Sequence, residues 1–159
     1  MPEPPVVNAS PLIVLSRAGH LDLLLLLGDR IVIPDVVVEE VSAHSAEAAR
    51  AVAGHAWLEP TPAVAVATAV AAWDLGRGES AVLSWAVARP GSLAVIDDYA
   101  ARTCATVLGV PVIGTLGLVL RAKVRGRVPA ARPLVEDLRR AGLYLSDGLI
   151  DDALSIVDE

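Results

Sequence analysis

Four places in the sequence set an oxygen-bearing side chain against an apolar background, and brought together they could hold a hard cation. Asn8 follows Val6-Val7, with Ser10 two residues on. Glu40 lies within Pro-Asp-Val-Val-Val-Glu-Glu-Val, residues 34–41. Glu79 heads a segment in which Val82, Leu83, Ala86 and Val87 follow at i+3, i+4, i+7 and i+8. Asp97-Asp98 comes directly after Leu93-Ala94-Val95-Ile96. Each also has an ordinary structural reading. Asn and Ser are favoured in turns and at helix starts, so Asn8 and Ser10 can serve as caps. An acid such as Glu79 is favoured in a first helical turn. One aspartate of the pair suffices as an N-cap, and Asp98 can pair with Arg102 at i+4. That leaves Asp97 without a structural task. Glu40 differs from its neighbour: Asp35, Glu39 and Ser42 form a wet face, whereas Glu40 falls at the border of the apolar stripe. A carboxylate there is costly without a partner.

Three carboxylates and an amide at one place would bring like charges together, and a divalent cation would remove the conflict. An all-oxygen set with no His or Cys cluster points to Mg²⁺ or Mn²⁺. His20, His44 and His55 lack metal-ligand spacing and read as surface or structural residues.

The elements that must position these groups are legible from punctuation and period. Val6–Ala9 reads as a buried strand. Ser10 and Pro11 open a helix, as N-cap and first helical residue, that continues to Gly19. Leu21–Leu27 reads as a second helix. Arg30–Ile33 is a strand closed by Pro34, which also starts a helix from Asp35 to about Ala43. Ser45–Gly54 is helical, Trp57–Glu59 a short strand, Ala63–Trp73 an Ala-rich helix and Glu79–Ala88 a helix. The strand Leu93–Ile96 leads into Asp97, and Tyr99–Leu108 is helical. The strand Val110–Ile113 leads through Gly114-Thr115 into a helix ending at Val124. Pro133–Ala141 and Leu149–Val157 complete the chain. Strands alternating with helices predict an α/β fold with a central parallel sheet. In such a sheet functional groups gather at the carboxyl ends of the strands.

Composition narrows the classes. The 159 residues are 54% apolar, enough for one sizeable core, and predict a single domain over residues 1–159. Its core spans about 6–124, followed by C-terminal helices over 129–159. There, Leu134, Leu138, Ala141, Leu149, Ala153 and Ile156 have helical spacing that fits a sheet-edge cover or a dimer surface. The aromatics are three Trp and two Tyr, with no Phe, so stacking of several bases on aromatic platforms, as single-strand binders use, is not expected. The net charge of −6 argues against a generic nucleic-acid coat. Seven of the 13 cations lie between Arg121 and Arg140, opposed only by Glu136 and Asp137. This reads either as a solvated helix face or as a flank that holds phosphates. Cys104 is alone, which excludes a disulfide framework and fits a cytoplasmic setting. Residues 1–5 show no signal pattern, and no apolar run reaches the ~18 residues of a membrane span.

Five motifs in order resemble one family. Asn-Ala-Ser-Pro-Leu-Ile (8–13), residues 34–41, Gly-Arg-Gly-Glu-Ser-Ala-Val (76–82), Ile-Asp-Asp-Tyr-Ala-Ala-Arg (96–102) and Gly-Thr-Leu-Gly (114–117) resemble the PIN-domain family, in its VapC-like toxin branch. The resemblance runs from about Val6 to Lys123. It implies a three-layer α/β/α fold and Mg²⁺-dependent cleavage of RNA. The family's first acidic position falls on Asn8, with Ser10 beside it, the second on Glu40, the third on Glu79 and the fourth on Asp97, a role Asp98 can share. Thr115 matches a hydroxyl near the site. An antitoxin and a second copy of the chain are implied as partners. The departure is Asn8, where most PIN nucleases have Asp: an amide oxygen can ligate a hard cation but brings no charge.

Two rival classes follow from the same residues. A PIN-fold module that binds RNA or an antitoxin without cutting is favoured by Asn8. A receiver-type phosphoryl-transfer site is suggested by Asp97-Asp98, Thr115 and Lys123. The order argues against it, since the acid pair comes late and no later strand ends in an acid.

Overall fold

The computed structural model describes residues 2–62 and 64–159. Its centre is a five-stranded sheet of β1 (Val6–Val7), β2 (Ile31–Pro34), β3 (Leu58–Thr61), β4 (Ala94–Val95) and β5 (Val112–Ile113), in the order β3-β2-β1-β4-β5. Every neighbouring pair is parallel. Val6, Val7, Ile31, Ile33, Ala94 and Val95 have no exposed surface, as expected of parallel strands covered on both faces. Helices supply the cover: α1 (Ala9–Ala18), α2 (Asp35–His44), α3 (Ala46–Gly54), α4 (Thr68–Ala71), α5 (Arg77–Ala88), α6 (Tyr99–Val107), α7 (Thr115–Val124), α8 (Arg132–Arg140) and α9 (Asp147–Ile156). The result is the expected three-layer α/β/α arrangement.

The connectivity makes the site. From β1 the chain steps outward to β2 and β3, then returns across the sheet to lay β4 on the other side of β1. Right-handed crossovers place the outward and returning helices on opposite faces. Accordingly α1, α2 and α3 contact one another, while α5 packs on β1, β2, β4 and α6. The reversal between β1 and β4 opens a crevice at their carboxyl ends, where Asn8 and Asp97 lie.

Several local expectations need correction. Asn8, not Ser10, occupies the N-cap position of α1, and its side chain makes no capping bond; Ser10 is already inside the helix. Leu21–Leu26 forms a tight three-ten helix. The three-residue repeat of such a turn buries Leu21 and Leu24 together and leaves Asp22 exposed. Of the helix expected over Ala63–Trp73 only Thr68–Ala71 forms; Ala63 lies outside the described residues. β-branched Val64 and Val66 weaken the helix start, and the Ala67 N–H donates to Ser84 Oγ at 3.0 Å. β3 extends through Pro60 to Thr61, which is tolerated because β3 is an edge strand. In α9 the buried face is Ile150, Ala153 and Leu154, while Leu149 and Ile156 are exposed.

Lys123, at the end of α7, and the start of α8 are clasped by Glu159. Its carboxylate accepts from the Ala131 N–H at 2.6 Å, the Arg132 N–H at 3.1 Å and Lys123 Nζ at 3.0 Å. The two backbone donors, with the lysine, pull its pKa down from 4.5 to about 2. Because the folded value is depressed, the stabilisation is fully present above about pH 4.5 and is lost as the pH falls through about 2. Glu159→Gln is therefore expected to melt below the parent at pH 6 and together with it at pH 2. A gap in melting temperature that survives unchanged at pH 2 would refute the charged clasp.

Candidate active site

Asn8 stands at the centre of the carboxyl edge. Its backbone N–H donates to the Val95 carbonyl at 3.0 Å, which locks the residue between β1 and β4. It is 2% exposed. Nδ2 donates to Glu79 Oε1 at 3.0 Å. This fixes which way the amide faces, because the reverse would set two acceptors together. Oδ1 is then buried with no hydrogen-bond partner. Orphaning a buried acceptor costs about 1–3 kcal/mol, so the position asks for a donor or a cation.

Glu40 faces the same spot. Val37 and Val41, its neighbours on the inner face of α2, are buried, and they carry the half-buried Glu40 to the crevice. A methyl group placed on Gly78 would lie 2.8 Å from Asn8 Oδ1 and 2.8 and 2.9 Å from the two Glu40 oxygens. Two acceptor groups thus converge over a residue that must lack a side chain. Glu79, in the first turn of α5, completes the group through its bond to Asn8.

Asp97 forms a second group beside the first. Oδ1 accepts from the Thr115 N–H at 2.7 Å, and Oδ2 accepts from Thr115 Oγ1 at 2.7 Å and Ser10 Oγ at 3.3 Å. Asp97 therefore has the structural task that the sequence did not reveal: it ties the start of α7 to α1. Thr115 is completely buried and Ser10 exposed. Asp98 is turned to capping, accepting from the Ala101 N–H at 2.9 Å. Its expected ion pair with Arg102 is not among the salt bridges of the described residues. Arg102 leans instead toward Asp97: a methyl on Gly114 would lie 2.8 Å from Arg102 Nη1 and 3.2 Å from Asp97 Oδ1.

The expected residues thus share one edge in two adjoining groups, Asn8–Glu40–Glu79 and Asp97–Ser10–Thr115. Among the described residues no three Asp, Glu, His or Cys side chains close on a common point; the amide is what joins Glu40 to Glu79. The oxygen-only donors around the orphaned Asn8 Oδ1 fit a hard divalent cation, which Asn8, Glu40 and Glu79 could hold. The histidines serve elsewhere: His20 contacts Asp137, and His44 and His55 bond to backbone carbonyls.

The basic stretch does not flank this edge. α7 begins at the site with Thr115, and ten residues at about 1.5 Å each carry Val124 some 15 Å away, toward the opposite edge. There Arg125 donates to the Leu26 carbonyl and Lys123 pairs with Glu159; Arg139 and Arg140, on α8, pair with acids. The cations at the site edge are Arg102 and Arg77, the latter 3.9 Å from Glu39. Sequence reasoning gave Arg102 only a pairing with Asp98 and passed over Arg77, although Arg77 stands inside the Gly-Arg-Gly-Glu motif and could have been found there.

A parallel α/β/α sheet with acids gathered at its reversal point defines a carboxyl-edge site on a doubly wound scaffold. The chain belongs to the PIN-domain family, whose sequence profile matches residues 4–159 and so includes α8 and α9. No curated protein and no solved structure shows a significant match. PIN domains are generally nucleases and typically use divalent metals, so the family supports nuclease chemistry in general. Among the described residues no helix is long and apolar enough to cross a membrane.

Proposed function

We propose that this chain is a metal-dependent ribonuclease that hydrolyses RNA phosphodiester bonds. The observation that carries the reading is the buried, unpartnered Asn8 Oδ1 converging with Glu40 over Gly78. In this reading Asn8, Glu40, Glu79 and Asp97 hold Mg²⁺ or Mn²⁺, and Asp98 serves as the cap of α6. The ion supplies Lewis acidity toward the phosphodiester and makes water a nucleophile near neutral pH. Asp97 fixes the hydroxyls of Thr115 and Ser10, and Ser10, the exposed one, can orient water or a phosphate oxygen. Arg102 and Arg77 offer charge to the flanking phosphates in place of the Arg121–Arg127 stretch. A role as the toxin of a toxin–antitoxin pair, with an antitoxin and a second copy as partners, belongs to this reading and rests on the motif resemblance.

A second reading, a PIN-fold module that binds RNA or a protein without cutting, is favoured by two observations. The Asn8 amide satisfies Glu79 without a metal, and Asp97 already accepts three hydrogen bonds.

Asn8→Asp separates the two. The substitution removes the bond to Glu79 and buries a like charge beside it, so the variant should melt lower in chelator. With the added charge it should bind Mn²⁺ about tenfold tighter, since a further negative ligand strengthens a hard-cation site. Calorimetry with Mn²⁺ and an RNA cleavage assay with Mg²⁺, Mn²⁺ or chelator read both effects. No Mn²⁺ binding and no cleavage by either protein at millimolar metal would overturn the nuclease and favour the module.

A further inference from the structure

Among the described residues the two tyrosines are the most exposed large side chains of the core-forming types, at 85% for Tyr99 and 91% for Tyr144. Rings that exposed bury little against their own chain. Both line one groove of about 400 Å³, whose floor includes Leu116 and Leu120 and whose rim carries Arg102 and Asp97. Asp97 thus belongs to this groove and to the candidate active site at once. The volume is that of a small-ligand pocket.

A nucleotide has the matching chemistry. Its base is flat and apolar on both faces, which suits a phenol ring above a leucine floor. Its phosphate is anionic, which suits Arg102 at the rim. From this we infer that the Tyr99–Tyr144 groove is a subsite for a single unpaired nucleobase of the RNA, next to the scissile phosphate. The inference rests on the ribonuclease reading and adds to it the place where one base is held; a paired and stacked base cannot enter the groove. It asks for one base, in keeping with a chain too poor in aromatics to stack several.

The test is equilibrium binding of a labelled single-stranded RNA hexamer, compared with hexamers made abasic at each position in turn. Ca²⁺ replaces Mg²⁺ for binding, and cleavage of the intact hexamer is followed separately in Mg²⁺. Both rings are exposed, so their replacement should leave folding intact. For the parent, one abasic position is expected to weaken binding about tenfold, the usual scale for a lost base–aromatic stack. The Tyr99→Ala/Tyr144→Ala double variant should bind the intact and abasic hexamers alike, and Tyr99→Phe/Tyr144→Phe should restore the difference. If the parent binds and cuts RNA but the alanine variant keeps full discrimination, the base subsite is overturned while the nuclease reading stands. If the parent neither binds nor cuts RNA, the nuclease reading fails and takes the subsite with it. Unaltered RNA binding with a reduced mass in sedimentation would assign the groove to contact between copies and also overturn the subsite.

Discussion

Asp97→Asn is expected to lower metal-dependent RNA cleavage by on the order of 10³-fold while leaving the protein folded. The substitution keeps the shape of the side chain and removes its charge. If Asn keeps its oxygen toward the Thr115 N–H, its NH₂ group faces the hydroxyls of Thr115 and Ser10. Hydroxyls accept as well as donate, so both bonds can reverse direction. What is lost is the extra strength of bonds to an ionised acceptor, about 1–2 kcal/mol in all. For a chain of this size that lowers the melting temperature by about 2–8 °C. The charge contribution to catalysis is larger, because metal-assisted charge stabilisation is worth several kcal/mol and each ~1.4 kcal/mol is a factor of ten in rate. Asp97→Ala is the contrasting variant: it strands the Thr115 N–H in a buried place and should cost more stability than Asn. Cleavage assays beside thermal melts read the separation. Full activity in Asp97→Asn would remove Asp97 from the reaction and leave it only its structural role.

Gly78→Ala is expected to lose at least about 100-fold in metal-dependent activity and to melt below the parent. Helix propensity alone predicts a gain, since Ala is preferred to Gly in a helix by about 1 kcal/mol. The surroundings predict otherwise: the new methyl would sit 2.8 Å from Asn8 Oδ1 and within 2.9 Å of both Glu40 oxygens. Glu40 has a flexible stem and can swing into solvent. Asn8 is buried and tied to Glu79, so it cannot move without breaking that bond. The methyl therefore occupies the spot where the acceptors converge, and the factor corresponds to about 2.7 kcal/mol of lost transition-state stabilisation. A Mn²⁺ titration should lose its heat signal in parallel. An alanine variant that binds Mn²⁺ and cuts RNA as the parent does would show that the cation does not use this corner.

The fold was readable because its signals are local and repeated. Val6-Val7, Ile31–Ile33 and Leu93–Ile96 are short apolar runs separated by helical patterns, and a parallel sheet is the arrangement that buries such runs on both faces. The positions of Glu40 and Glu79 were readable for a related reason: a carboxylate on the apolar stripe of a helix is out of place unless something waits for it. Partnership was not readable. Nothing in the order of residues says that the Asn8 amide donates to Glu79, or that Asp97 accepts from Thr115, since these pairs lie 71 and 18 residues apart. Of the two readings of the basic stretch, the phosphate flank gave way for a directional reason: charge counts along a chain do not say which end of a helix faces the site. The Ala63–Trp73 expectation failed because an apolar, Ala-rich composition carries no information about Ser84, which captures the Ala67 amide.

The direction of α7 gives the molecule an electrical orientation. Its acids crowd one end of the strands, while Arg121 and Arg127 lie toward the other, outside the ion pairs found among the described residues. On the ribonuclease reading, a long polyanion would meet carboxylates at the face where it reacts, offset there by Arg102, Arg77 and the bound cation. Its approach should therefore quicken when the metal is present.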